Sequence, residues 1–230
     1  MNKVVKPTTR AVVIQSFLDL FKHPEYLEIG VFEGQTFNAL RADTKIGVDP
    51  KFQFEKAAFE RAGVSLHEVR SDTYFATLAT PDQLFDVIFI DGLHTAEQTL
   101  RDILNAQLYL KAGGVMIIDD IWPSSYIAAI RDLETHRRLR SKLKIQNPSW
   151  MGDVFKLLYF IDSFMQQFTM RLISDTNGQA ILWRQPKPVT GDDLLLEISL
   201  KTLTDLLTDD RFRRVPVEDV LAEFRAFSGR

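Results

Sequence analysis

The 230-residue chain has no cysteine, which excludes disulfides, thiolate zinc sites, iron–sulfur clusters and a cysteine nucleophile. Any metal must bind oxygen or histidine nitrogen, and only four histidines are present. No run approaches the ~18 consecutive apolar residues of a membrane helix. Near the amino terminus, Lys3 and Lys6 precede AVVIQSFLDLF, which Gln15, Ser16 and Asp19 interrupt. That spacing is helix periodicity rather than the apolar centre of a signal peptide. Neither sign of charge dominates: 28 Lys and Arg against 31 Asp and Glu leave a net charge of −3. The chain therefore lacks the polycation character that attracts nucleic acid or anionic lipid, with room left for a local basic patch. The expectation is a soluble cytoplasmic protein, with neither a membrane nor a nucleic acid as partner.

What is present is core material. Hydrophobic residues make up 45% of the chain, including 17 Phe, and the length suits one large domain, or one domain with an appendage. Short apolar runs ending in acid or glycine recur: YLEIGV (26–31), KIGVDP (45–50), LHEVRSD (66–72), FDVIFIDG (85–92) and GGVMIIDD (113–120). VIFI and VMII are apolar on both faces, as in parallel strands covered by helices on two sides. The stretches 52–62 and 95–110 between them carry helical spacing, with Thr95 as an N-cap. Further helices are expected near 124–142 and 153–167, with Asp153 capping the latter. FTMRLISD (168–175) and QAILWRQ (179–185), joined by Thr176-Asn177-Gly178, read as an antiparallel hairpin. The expected fold is a doubly wound, seven-stranded, mostly parallel α/β sheet with an antiparallel last strand over residues 1–188. Residues 189–230 read as a helical extension, two amphipathic helices around Pro216, which packs on the sheet, covers the site or pairs subunits into a homo-oligomer.

Several strands end in acids. Glu28, Gly30 and Gly34 form an acidic-x-Gly-x-x-x-Gly turn at the carboxyl end of the first strand, where open α/β sheets bind ligands. A carboxylate there suits a cationic or amine-bearing ligand better than a pyrophosphate, although a tight turn without a ligand would read the same. Asp49 ends the second strand, 19 residues after Gly30, placed to accept hydrogen bonds from two ribose hydroxyls. Ser71-Asp72 ends the third, where a short acceptor meets an adenine amino group. Carboxylates crowded on one edge repel unless a cationic or hydrogen-bonding group joins them.

YLEIGVFEGQT, KIGVDP, FDVIFIDGLHTAEQTLRD and the glycine pair of KAGGVMIIDD, together with WMGDVFK, resemble the class I S-adenosylmethionine-dependent methyltransferases. The likeness is to the small-molecule branch called methyltransferase family 24, and it extends from about Tyr26 to Trp183. The resemblance implies a sheet of the kind just described. It assigns Glu28, Gly30 and Gly34 to the methionine end of S-adenosylmethionine, Asp49 to its ribose and Asp72 to its adenine, with Asp91 also at the cofactor.

The remaining chemistry lies in Asp91, His94, Asp119 and Asp120. Asp91 ends the fourth strand; Asp119, 28 residues later, and Asp120 end the fifth. Three clustered carboxylates suit a hard divalent cation such as Mg²⁺. Metal-dependent O-methyltransferases of the catechol and macrolide-sugar kinds have a similar layout. In the catechol kind a lysine base stands three residues after the first ligand, where this chain has His94. The sulfonium methyl is already activated, so the enzyme must place a nucleophile in line and remove its proton. Metal on Asp91, Asp119 and Asp120 would lower the pKa of an acceptor hydroxyl, and His94 would take the proton, with Asp91 beside it. Asp120 could instead cap a following helix, and His94 could only pack its loop. HRRLRSKLK (136–144) is either a solvated helix face or an anion-attracting patch; Trp122, Trp150 and Met151 are either a substrate wall or core plugs. The leading expectation is methyl transfer to a hydroxyl of a small molecule such as a sugar or polyol. A hydroxylase-like or hydrolytic metalloenzyme and a non-catalytic cofactor-binding or assembly protein are the other two readings.

Overall fold

The computed structural model describes residues 9–230 apart from 60, 177 and 189. Helix α1 (Arg10–Leu18) starts at Thr9, whose hydroxyl accepts a hydrogen bond from Val12 N. There follow β1 (Glu25–Ile29), α2 (Gln35–Ala39), β2 (Thr44–Val48), β3 (Val64–His67), α3 (Ser71–Thr77), β4 (Phe85–Ile90), α4 (Ala96–Ala106) and β5 (Leu110–Ile118). After them come α5 (Leu133–Lys142), α6 (Lys156–Phe164), β6 (Thr169–Ile173), β7 (Ala180–Trp183), α7 (Leu195–Leu200), α8 (Leu203–Thr208), β8 (Arg214–Val215) and α9 (Val217–Ser228).

One sheet runs in the order β3-β2-β1-β4-β5-β7-β6-β8. The strands from β1 to β5 are mutually parallel, and β7 lies antiparallel between β5 and β6. All six residues of β4 are buried, as the unbroken apolar run requires of a strand covered on both faces. On one face Tyr74, Phe75, Ile103, Leu157 and Leu158 pack from α3, α4 and α6. On the other Val13, Ile14, Phe17, Phe37, Val220 and Phe224 pack from α1, α2 and α9. The Phe224 ring stands edge-on to Phe17 at 5.6 Å and to Trp183 at 5.8 Å. Fully burying each such ring contributes roughly 1.5–3 kcal/mol.

Several expectations change. The sheet has an eighth strand, because Arg214–Val215 pairs in parallel with β6; the tail is thus three helices and a strand rather than two helices. The helical spacing at 52–62 yields only a single tight turn at Lys56–Ala58, and the helix near 124–142 begins only at Leu133. β3 stops at His67, so Ser71 and Asp72 open α3 instead of ending a strand. Thr95 does cap α4, accepting from Gln98 N. Asp153 also serves that helix, accepting from Ala96 N at 2.9 Å, and does not cap α6. The β6–β7 pair is antiparallel as expected, though Asn177 of its turn lies outside the described residues.

Candidate active site

Parallel pairing lines up the strand ends. Gly30 N donates to Val48 O, Asp91 N to Ile29 O and Asp119 N to Ile90 O, at 2.8–3.0 Å, so the residues just past β1, β4 and β5 meet at one edge. Gly30 has φ +89°, and a Cβ there would lie 2.0 Å from the Asp91 carbonyl oxygen. Only glycine permits that approach. It is what brings the first turn against the fourth strand.

The acids at this edge outnumber their counter-ions. Glu28 is buried, and its carboxyl accepts from the Tyr26 hydroxyl at 2.6 Å. Burial pushes its pKa up to about 8, with the Asp91 charge adding to the rise. Asp119 is fully buried and held well above the usual carboxylate range by burial and by its neighbours Asp91 and Asp120. Burial likewise raises Asp120 to about 7, although His94 pulls it down. Asp120 is one of few non-glycine residues with positive φ, at 57°, a backbone conformation that persists only where the surroundings impose it.

Three cations answer these acids, Lys45 through its charge on Glu28 and, in direct contact, Arg10 and His94. Arg10, the first residue of α1, donates through Nη1 to Asp91 Oδ2 and places Nη2 2.8 Å from Asp119 Oδ2. The latter contact is an ion pair without an aligned hydrogen bond, so that oxygen has no aligned donor among the described residues. His94 Nε2 lies 3.0 Å from Asp120 Oδ2 and 3.4 Å from Asp91 Oδ1. Its Nδ1 is 2.6 Å from the Trp150 carbonyl, and the two rings lie 5.0 Å apart. A carbonyl can only accept, so Nδ1 carries a hydrogen and Nε2 is the nitrogen facing the acids. Burial works against the imidazolium, but the hydrogen bond to Asp91 and the charges of Asp120 and Asp91 outweigh it and lift His94 to about 9.

The expected set Asp91, Asp119 and Asp120 does not converge. Asp119 turns to Arg10, and the residues whose ligand atoms lie within 4.8 Å of one another are Asp91, His94 and Asp120. Two carboxylates and an imidazole suit a divalent ion, and Asp91 Oδ1 stays free of Arg10, so ligand type and spacing fit. Around the expected cofactor positions, Asp49 accepts from Phe32 N at 2.8 Å and Lys51 N at 2.7 Å. These bonds fix its direction and leave lone pairs for hydroxyl donors. Asp72 sits in the first turn of α3, half exposed, and shares the Gln98 amide with Ser71 and Asp102 at 3.2–3.3 Å. Burial raises Asp102 to about 6. Gly34 has φ +74° and a Cβ there would meet Asn38 and Phe54, so it serves the turn itself. Of the loop residues singled out, Trp150 packs tilted against the His94 ring, whereas Met151 is a buried core residue. Sequence reasoning missed Arg10, Tyr26 and Asp102. Arg10 lies 81 residues from Asp91, with no local signal linking them.

This order of strands, with an antiparallel β7 inserted beside β5, is a fold shared with solved methyltransferases. Residues 27–121 match the family described as a methyltransferase domain, so the likeness read in the motifs is borne out for the domain and its fold. A proposed caffeoyl-CoA O-methyltransferase from Staphylococcus aureus superposes with a TM-score of 0.52 at 14% identity, over 76% of this chain and 82% of that one. An S-adenosylhomocysteine-bound methyltransferase from Podospora anserina gives 0.50 at 15% identity, over 75% and 76%. An uncharacterized protein of Acanthamoeba polyphaga mimivirus is 25% identical over 126 residues, which are 47% of this chain and 57% of the relative. Among the described residues, no helix is long and apolar enough to cross a membrane.

Proposed function

We propose that the chain transfers the methyl group of S-adenosylmethionine to a hydroxyl of a small molecule, with sugars and polyols the first class to test. The observation that carries this reading is the carboxyl edge itself, where four acids, Glu28, Asp91, Asp119 and Asp120, meet Arg10 and His94, with the charge of Lys45 also acting on Glu28. An excess of buried acid suits a ligand bearing both a sulfonium and an ammonium. Glu28 and the Gly30 turn receive the methionine end, Asp49 orients the ribose, and the Asp72–Gln98–Asp102 group faces the adenine. Arg10 holds Asp91 and Asp119 in place.

With a pKa of about 9, His94 is an imidazolium at neutral pH before any ligand binds, so it takes the proton of the acceptor hydroxyl only after the positive charge of the cofactor has driven its own proton off. Trp150 fixes its ring, so that Nε2 faces the edge, and Asp120 and Asp91 stabilise the imidazolium that accepting a proton creates. Asp91, His94 and Asp120 would hold a divalent ion, which when bound supplies positive charge that lowers the pKa of an acceptor hydroxyl. A histidine bound to that ion is a ligand and not the base, so base and ligand are alternative roles of one side chain. The test is transfer of labelled methyl from S-adenosylmethionine to a panel of sugars, polyols and phenols. Labelled product that disappears in Asp91→Asn supports the reading. No cofactor binding and no product with any hydroxyl acceptor would end it.

A further inference from the structure

Helix α5 carries charge that the edge does not use. Asp132 caps its start, accepting from Thr135 N at 2.6 Å, and His136 is buried against the body. Arg137, Arg138, Arg140, Lys142 and Lys144 follow within eight positions. None of the five has a carboxylate oxygen within 4.0 Å among the described residues. Some other surface cations are paired: Arg131 with Glu97 at 2.6 Å, Arg171 with Glu223 at 2.6 Å, Lys111 with Glu25 at 2.6 Å. Cations in the last helical turn are favoured by the helix dipole, which accounts for Arg140 and Lys142. It does not account for Arg137, upstream of that turn, or for Lys144, beyond the helix end.

The backbone shapes these charges into a groove. Lys144 takes a left-handed conformation, φ 54°, and the chain doubles back so that Ile145 N donates to Arg140 O at 3.0 Å. Between the helix and the returning strand of chain is a cavity of 630 Å³ lined by Arg137, Arg140, Ser141, Lys144, Ile145 and Gln146. Three cations, a hydroxyl and a side-chain amide thus converge, with no acid among them. Unpaired like charges held together in a concavity repel one another, and an anion relieves that repulsion. The groove is also tied to the edge. Trp150, whose carbonyl holds His94, is only four residues beyond Gln146, a stretch of chain that spans at most about 14 Å.

We propose that this groove is a phosphate subsite, and that the methyl acceptor carries a phosphate or diphosphate group that docks there while its hydroxyl lies at His94. The second half rests on the methyl-transfer reading above; phosphate binding by the groove does not. Guanidinium groups recognise phosphate by paired N–H donors, and Lys144 adds a point charge. A phosphate- or diphosphate-linked conjugate could place its anionic group in the groove and its hydroxyl at the edge.

The test uses the full chain without added divalent ion, with inorganic pyrophosphate and uridine diphosphate as probes and calorimetry as the readout. The expected result is that both probes bind the wild type. In Arg137→Ala/Arg140→Ala/Lys144→Ala their affinity falls at least tenfold, while that for S-adenosylmethionine changes less than twofold. Uridine diphosphate binding more tightly than pyrophosphate would point to a nucleotide conjugate, and equal binding to a simple phosphate ester; either supports the subsite. Equal pyrophosphate affinity in wild type and variant overturns it, as does no pyrophosphate binding by the wild type. Binding of a single-stranded RNA oligonucleotide that pyrophosphate cannot displace also overturns it, because the groove would then belong to a polymer surface. If the probes behave as expected but S-adenosylmethionine does not bind, the subsite stands and the methyl-transfer reading fails.

Discussion

Two ionic clusters of similar size behave oppositely in this molecule. In the tail, Asp162, Asp193 and Asp209 meet Lys187, Lys201 and Arg211 at 2.5–3.4 Å, three acids for three cations. Asp193 and Asp209 are held below the usual carboxylate range, Asp193 by the Arg211 and Lys201 bonds that outweigh its burial, and Asp209 chiefly by its bond to Arg211. At the carboxyl edge, four acids share Arg10, His94 and the charge of Lys45, and Glu28, Asp119 and Asp120 are all raised, by burial first. The tail cluster is a satisfied clamp between α6 and the segment leading to β8. The edge cluster has more acids than cations around it, an imbalance that a cationic ligand, as proposed above, would complete.

The sharpest break in that contrast is at Gly30. With φ +89° and the Asp91 carbonyl 2.0 Å from any added Cβ, Gly30→Ala should cost roughly 3 kcal/mol or more and abolish cofactor binding, read by thermal melting and calorimetry. The next is a matched pair of variants. Asp91→Asn should lower methyl transfer by about 10²-fold, close to 2.7 kcal/mol, with little change in melting temperature. Asp193→Asn should lower the melting temperature and leave turnover per folded molecule unchanged. Swapped outcomes would mean the two clusters have been assigned the wrong way round.

The clusters should also respond oppositely to pH. Glu28, Asp120 and His94 have folded-state pKa values of about 8, 7 and 9, each above its ordinary value. Their stabilisation is complete below those ordinary values and is lost as pH rises through the folded ones. Asp193 and Asp209 are lowered, so theirs is present above the ordinary carboxylate range and is lost on acidification. Melting temperature should therefore fall from pH 5 to 9. Glu28→Gln should flatten that fall up to about pH 8. A melting temperature that rises across that range would contradict the edge assignments. The smallest effect concerns metal: removing divalent ions with EDTA should lower transfer about tenfold, with recovery on adding Mg²⁺. Full activity after EDTA would mean that the edge needs no metal ion.

How much of this was legible in the sequence follows from the range of each signal. Strands β1, β4 and β5 and their terminal acids were readable because an apolar run ending in Gly or Asp is local. The Thr95 cap and the β6–β7 hairpin are local too. The direction of Asp119 was not readable from spacing. Consecutive residues on extended chain point to opposite sides, so Asp119 and Asp120 part, one to Arg10 and the other, from a left-handed backbone, to His94. Arg10 was invisible because its partner lies 81 residues away. The end of β3 was misread because Val69 continues the apolar run past His67, where pairing with β2 has already ceased. β8, two residues long, is too short to carry a pattern.

The central claim is that the edge cluster lacks positive charge because it awaits S-adenosylmethionine. Calorimetric titration of that cofactor into the full chain tests it most directly. The account predicts one site per chain with micromolar affinity, lost in Gly30→Ala and weakened in Asp49→Ala. Absence of binding at millimolar cofactor, in protein whose melting curve shows it folded, would contradict it.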